Sequence, residues 1–147
     1  MDLAEFGHPT IDELEGAMLA GVQVEMPVTH RLTPGLYSRE IFIPAGTLLT
    51  SAVHRTEHQF VISQGRIAVI SENEGRVIYE APHTGVTLPG TRRVLHAETD
   101  TIWITFHATE ETDIAKICES LVDPSANPLL AGHVPAYVQT LPLSIES

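Results

Sequence analysis

The sequence predicts a mainly β fold: a small sandwich or barrel with a short helix before it and a helix plus an extended tail after it. Two observations carry this. Between Leu36 and His107, short runs rich in β-branched and aromatic residues are separated by Gly- and Pro-containing turns, and no helical period intervenes. Helical spacing with capping signals is confined to the flanks, near residues 11–20 and 112–123. A chain of 147 residues that is 43% apolar and 18% charged can build one core, which fits a single domain.

The elements follow in order. Thr10-Ile11-Asp12-Glu13 has the form of a capping box, Ile11, Leu14, Met18 and Leu19 recur at helical spacing, and Gly21 is a stop, so a helix is predicted over residues 11–20. Residues 22–35 hold Pro27 and Pro34-Gly35 and read as an extended lead-in on the surface, completing an N-terminal segment, 1–35. The barrel segment, 36–108, contains predicted strands at 37–43, 47–54, 58–63, 66–72, 76–81, 86–88, 92–97 and 101–107. The turns are Pro44-Ala45-Gly46, Gln64-Gly65, the hairpin loop Asn73-Glu74-Gly75, the break Pro82-His83-Thr84-Gly85, and Pro89-Gly90. Thr112-Asp113 caps a second helix within 109–123, with Ile114, Ile117, Cys118 and Leu121 on one face and Asp123-Pro124 at its end. The tail, 124–147, is rich in proline and in apolar residues such as Leu129, Leu130, Val134, Tyr137 and Val138. A disordered tail is polar, so this one is expected to dock on the barrel or on a neighbouring subunit.

The charge balance narrows the partners. Eight Lys and Arg against nineteen Asp and Glu give a net charge of −11, which argues against nucleic acid or an anionic membrane, since both are bound by basic surfaces. No apolar stretch approaches the roughly 18 residues of a membrane span. The acidic start Met1-Asp2-Leu3-Ala4-Glu5-Phe6 lacks an apolar run, so no signal peptide is expected there. The single cysteine, Cys118, forms no intrachain disulfide, so a cytoplasmic, unsecreted protein is expected. Cys118 lies on the apolar helix face and reads as buried rather than nucleophilic. The chain has no Gly-rich phosphate loop, no Gly-x-Ser-x-Gly elbow and no cysteine pair for zinc.

Two glycine-anchored segments carry what chemistry the sequence offers. One runs from Pro44-Ala45-Gly46 to His54-Arg55-Thr56-Glu57-His58 and Gly65; the other is Leu88-Pro89-Gly90-Thr91-Arg92-Arg93. Together they resemble the paired motifs of the cupin superfamily, which implies a cupin-type jelly-roll barrel. Metal-binding cupins pair two histidines one residue apart with a carboxylate and a glycine seven positions later, and add a third histidine after the second motif's Pro-Gly turn. Against that pattern His54 stands at the second histidine, Ala52 at the first, His58 at the carboxylate and Arg93 at the third histidine. Two imidazoles alone make a weak site, and a guanidinium repels a divalent cation while favouring a carboxylate, phosphate or sugar oxygen. His107 or His96 could add a third ligand. Glu57 could be a ligand or a base, though a turn carboxylate is more often solvated. The opposing reading is that His54, His58 and Arg93 are a polar cluster left from a lost site. Trp103 reads as core.

Residues 10–122 also resemble small cupin-like proteins of tailed phages and prophages. The likeness rests on the first helix, on Pro34-Gly35-Leu36-Tyr37-Ser38-Arg39-Glu40-Ile41-Phe42-Ile43-Pro44-Ala45-Gly46, on His54 to His58, on Pro89-Gly90-Thr91-Arg92-Arg93 and on Glu98 to His107. It implies a structural protein of the virion rather than an enzyme: a capsid decoration or cement protein, or a head accessory subunit. Its partners would be its own copies in a homo-oligomer and other virion proteins reached through the tail. On this reading no cofactor is expected beyond a divalent metal at His54 and His58. The alternatives are a metal-dependent cupin enzyme (isomerase, dioxygenase or lyase) and a sugar- or carboxylate-binding module.

Overall fold

A computed structural model describes residues 24–71, 75–123 and, as backbone, 142–144. The helix predicted over residues 11–20 and most of the tail lie outside the described residues. Ten strands and one helix are present among them: β1 (Val28–Thr33), β2 (Leu36–Ile43), β3 (Thr47–Thr50), β4 (His58–Gln64), β5 (Arg66–Ser71), β6 (Gly75–Glu80), β7 (His83–Thr87), β8 (Arg93–Ala97), β9 (Thr101–Ala108), α1 (Ile114–Leu121) and β10 (Pro142–Ser144).

The strands form two five-stranded sheets, ordered β1-β2-β9-β4-β7 and β10-β3-β8-β5-β6, and every strand pairing is antiparallel. Chain order jumps between the sheets, so they face each other as a jelly roll does and enclose one core. Alternation decides which side chains enter it. On β2, Tyr37, Arg39, Ile41 and Ile43 point inward; on β9, Thr101, Trp103, Thr105 and His107 do; on β4, His58, Phe60 and Ile62 do. The core centres on Ile41, Ile43, Leu49, Phe60, Ile62, Ile67, Val69, Leu95 and Trp103. Phe60 stacks on Trp103 with centroids 4.7 Å apart. That ring needs Gly85 beside it, because a Cβ there would fall 2.6 Å from the Phe60 ring.

Several boundaries differ from those expected. The lead-in is partly sheet: residues 28–33 pair with residues 36–41 of β2, from Val28↔Ile41 to Thr33↔Leu36. The predicted strand at 47–54 stops at Thr50, and His54 makes only an isolated bridge to Val122. The short strand placed at 86–88 is longer and earlier, His83–Thr87, since only Pro82 in the expected break lacks a backbone donor. The turn at Gly65 stands as read: φ is +98°, and an added Cβ would strike the Asp100 carbonyl. The tail contributes β10, which pairs with β3 in the register Pro142↔Leu49 to Ser144↔Thr47.

The helix α1 is capped as its sequence predicts, with the Asp113 carboxylate accepting from the Lys116 amide at 3.2 Å. It buries Ile117, Cys118 and Leu121, and packs with Tyr37, Ala52 and Val122 in a second apolar cluster. Its C-terminus is stitched to the loop after β3. The Arg55 amide donates to the Leu121 carbonyl at 2.7 Å, and the Asp123 amide to the Val53 carbonyl at 2.8 Å. The helix therefore fixes the loop that carries His54.

Candidate metal centre and ligand pocket

Three histidines converge at one end of the core. His58 opens β4, His107 lies near the end of β9, and His54 sits on the loop held by α1. All three are buried, and one nitrogen from each lies within 4.8 Å of the others. Their ring centroids are 4.4 Å (His54–His58), 4.6 Å (His58–His107) and 5.5 Å (His54–His107) apart.

Burial sets their charge. It pushes His54 well below the ordinary histidine value, helped by His58, His107 and Arg39 and opposed by a hydrogen bond to the Ala52 backbone. Burial likewise lowers His58, against a hydrogen bond to the Thr56 carbonyl and with help from Arg93. His107 falls to about 3, through burial and then His58 and Arg39. All three are neutral near pH 7, the form that ligates metal.

Each ring also has a partner on one side. His58 Nδ1 donates to the Thr56 carbonyl at 3.2 Å, which leaves Nε2 with a lone pair. His107 Nε2 lies 2.9 Å from Thr105 Oγ1, while its Nδ1 is buried with no hydrogen-bond partner. A buried orphan nitrogen is costly unless something outside the chain satisfies it. Neutral imidazoles held by carbonyls and a hydroxyl, with one nitrogen of each within 4.8 Å of the others, match what a metal ion requires. The donor set fits an ion bound by three histidines. His96 takes no part, because Arg93 and Leu95 line the cavity and place it on the other face of β8.

His54 and His58 border a cavity of about 60 Å³ whose apolar wall includes Ile41, Leu49, Leu95 and Trp103. Two guanidiniums also line it, Arg39 from β2 and Arg93 from β8, and both are buried. Arg93 Nη1 donates to Thr87 Oγ1 at 2.7 Å. Its guanidinium carbon lies 5.3 Å from the Phe60 centroid and 5.9 Å from that of Trp103, within cation–π range. No carboxylate of the described residues lines this cavity.

The comparisons with solved structures bear on the fold. One similar structure is ectoine synthase from P. lautus, with a TM-score of 0.56 and 10% identity over 85% of this chain and 83% of that one. Another is salicylate 1,2-dioxygenase from Pseudoaminobacter salicylatoxidans with gentisate adducts, at 0.53 and 17% identity over 78% of this chain and 33% of that one. A third is a cupin superfamily protein from Desulfitobacterium hafniense, at 0.50 and 4% identity over 60% and 81%. This is a cupin fold. No family profile and no curated protein matches the sequence.

The motif mapping alone offered two ligands, His54 and His58; of the two candidates for a third, the structure brings His107, from β9, into the cluster and leaves His96 out. Arg93 faces the cavity, whereas Glu57 is exposed on the turn and absent from the cavity lining. Arg39 and Thr105 were missed as site residues. The available signal was phase: Arg39 alternates with Tyr37, Ile41 and Ile43, and Thr105 with Trp103 and His107.

Proposed function

We propose that this cupin barrel is a metal-dependent enzyme that holds one divalent ion through His54, His58 and His107 and acts on a small molecule in the adjoining cavity. The observation that carries the reading is the triad: three buried, neutral histidines with one nitrogen of each within 4.8 Å of the others, and with His107 Nδ1 buried without a hydrogen-bond partner. A bound ion would supply Lewis-acid polarisation of a substrate oxygen. The chain's own groups do the rest. The Ala52 and Thr56 carbonyls and the Thr105 hydroxyl hold the three rings in place. Trp103, Leu95 and Ile41 keep the cavity wall dry, and Arg93 presents a fixed positive charge. The described cavity wall offers no carboxylate base, which favours chemistry driven by electrostatic polarisation. Neighbours sharing the fold include a synthase and a dioxygenase, in keeping with an enzyme.

A virion scaffold built on the same barrel accounts for the fold but gives three neutral histidines and two buried arginines no task. The test is metal titration of chelator-stripped protein by calorimetry. One equivalent of zinc or iron(II) is expected, and His54→Ala and His107→Gln should each weaken it by more than about the 10–100-fold loss typical of a mutated supporting residue. Binding of no metal, or binding that both variants leave unchanged, overturns the proposal.

A further inference from the structure

Among the described residues, Arg39 is a buried charge that faces the cavity with no acid beside it. It lies mid-strand on β2, 4% exposed, in phase with core residues Ile41 and Ile43 and opposite Thr105 of β9. Its Nε is buried with no hydrogen-bond partner. Burial draws its proton affinity down, and the groups that oppose this are Tyr37 and Cys118, neither of them a carboxylate. The described ion pairs, Arg31–Glu40, Arg66–Glu80 and Arg66–Glu98, lie elsewhere on partly exposed side chains. A guanidinium stays cationic in any protein environment. A buried cation without an acid among the described residues is strongly unfavourable, so its negative partner is to be sought beyond them, and a bound ligand is one that the cavity can admit.

The place for that partner is the cavity. Arg39 enters it from one sheet and Arg93 from the other, beside the histidines. With the histidines neutral, the wall is cationic and otherwise largely apolar. At about 60 Å³, against the roughly 10–15 Å³ that admits one water on the same measure, it has room for about four to six waters, the size of one carboxylate with a short aliphatic body.

We propose that Arg39, facing Arg93 across the cavity, anchors the carboxylate of a small organic acid and so sets the ligand class of the pocket. This deepens the metal-enzyme reading, in which that acid is the substrate or part of it. The seat itself needs only the two arginines. Anion and metal then help each other: the anion offsets the repulsion the arginines exert on the ion, the ion adds positive charge that attracts the anion, and the coupling is reciprocal.

Trp103 is the only tryptophan and lines the cavity, so its fluorescence reports occupancy. Metal-free protein titrated with propionate should show a saturable change, and its neutral isostere propionamide should show none. Arg39→Met should weaken propionate at least tenfold, and Arg39→Lys should recover part of the loss. Unliganded Arg39→Met should be no less stable than the parent, since it removes a buried charge. Equal responses to propionate and propionamide overturn the proposal, as does Arg39→Met that folds and binds propionate like the parent. If Arg39→Met does not fold, the contrast between the two ligands and the Arg39→Lys titration decide in its place. The metal reading fails separately, through absent zinc binding. Propionate binding that persists in His107→Gln while zinc binding is lost leaves the anion seat standing on its own.

Discussion

His107 shows how much one side chain can bind the stability of this barrel to pH. In the unfolded chain a histidine titrates near 6.5; in the barrel, burial, His58 and Arg39 hold His107 at about 3, and His54 and His58 are lowered as well. Between those values the unfolded state binds more protons than the native one. Stability is therefore fully present above pH 7 and is lost as pH falls from 6.5 towards 3. Each histidine that stays neutral contributes a slope of at most about 1.4 kcal/mol per pH unit. Thermal melts of metal-free protein should be flat from pH 7 to 8.5 and fall steadily below 6.5. His107→Gln should flatten that fall, and bound zinc should defer it. A melting temperature that rises on acidification contradicts this account. The same residue marks where the sequence was hardest to read. Its place on the last strand was legible, but no local pattern says that β9 and β4 sit side by side. The pairing Gln59↔Phe106, which brings His58 and His107 together, is a long-range fact. Arg39 was hidden for the opposite reason: its inward phase is plain in Tyr37-Ser38-Arg39-Glu40-Ile41, but an arginine at an inward position is easily read as surface.

At the scale of elements, α1 ties the site to the fold. Its face of Ile117, Cys118 and Leu121, its Asp113 cap and its start at Ile114 all follow from the sequence. Its task does not, because the hydrogen bonds from Arg55 and Asp123 and the bridge His54↔Val122 join segments some seventy residues apart. The Arg55 side chain adds a bond from Nε to the Val122 carbonyl at 3.0 Å. Ile117 is fully buried between the helix and the barrel, and Ile117→Ala should cost about 2–5 kcal/mol in denaturant unfolding. Because the helix end holds the His54 loop, the same variant should also weaken zinc binding while leaving both sheets intact. Hydrogen exchange checks the link: the amides of Arg55 and Asp123 should lose protection in the variant well before those of β9. Uniform loss across the sheets would mean that the helix supports the barrel as a whole and not the loop in particular.

For the whole molecule, the issue is how two sheets end. The alternation along β2, β4 and β9 and the punctuating turns made a closed β fold legible, and the motif spacing pointed to cupins. The sheet edges were not legible, because an edge is defined by what fails to pair. The lead-in proves to supply one, β1 beside β2, and the tail supplies another, β10 beside β3. The β3 edge is the vulnerable one: Thr47-Leu48-Leu49-Thr50 is buried throughout, and its other side is already engaged by β8. Removing residues 124–147 would leave its outward amides and carbonyls unpaired along a short apolar strand, a template for another chain. The truncated protein should keep the triad and its zinc binding, because His54, His58 and His107 are positioned by β4, β9 and α1. It should also self-associate with rising concentration in light scattering, and a charge at the edge, Leu48→Lys, should not rescue it cleanly because Leu48 is core-buried. Monodisperse truncated protein at high concentration would show that β10 does not protect this edge, and loss of zinc binding in a folded truncation would show that the tail helps shape the site.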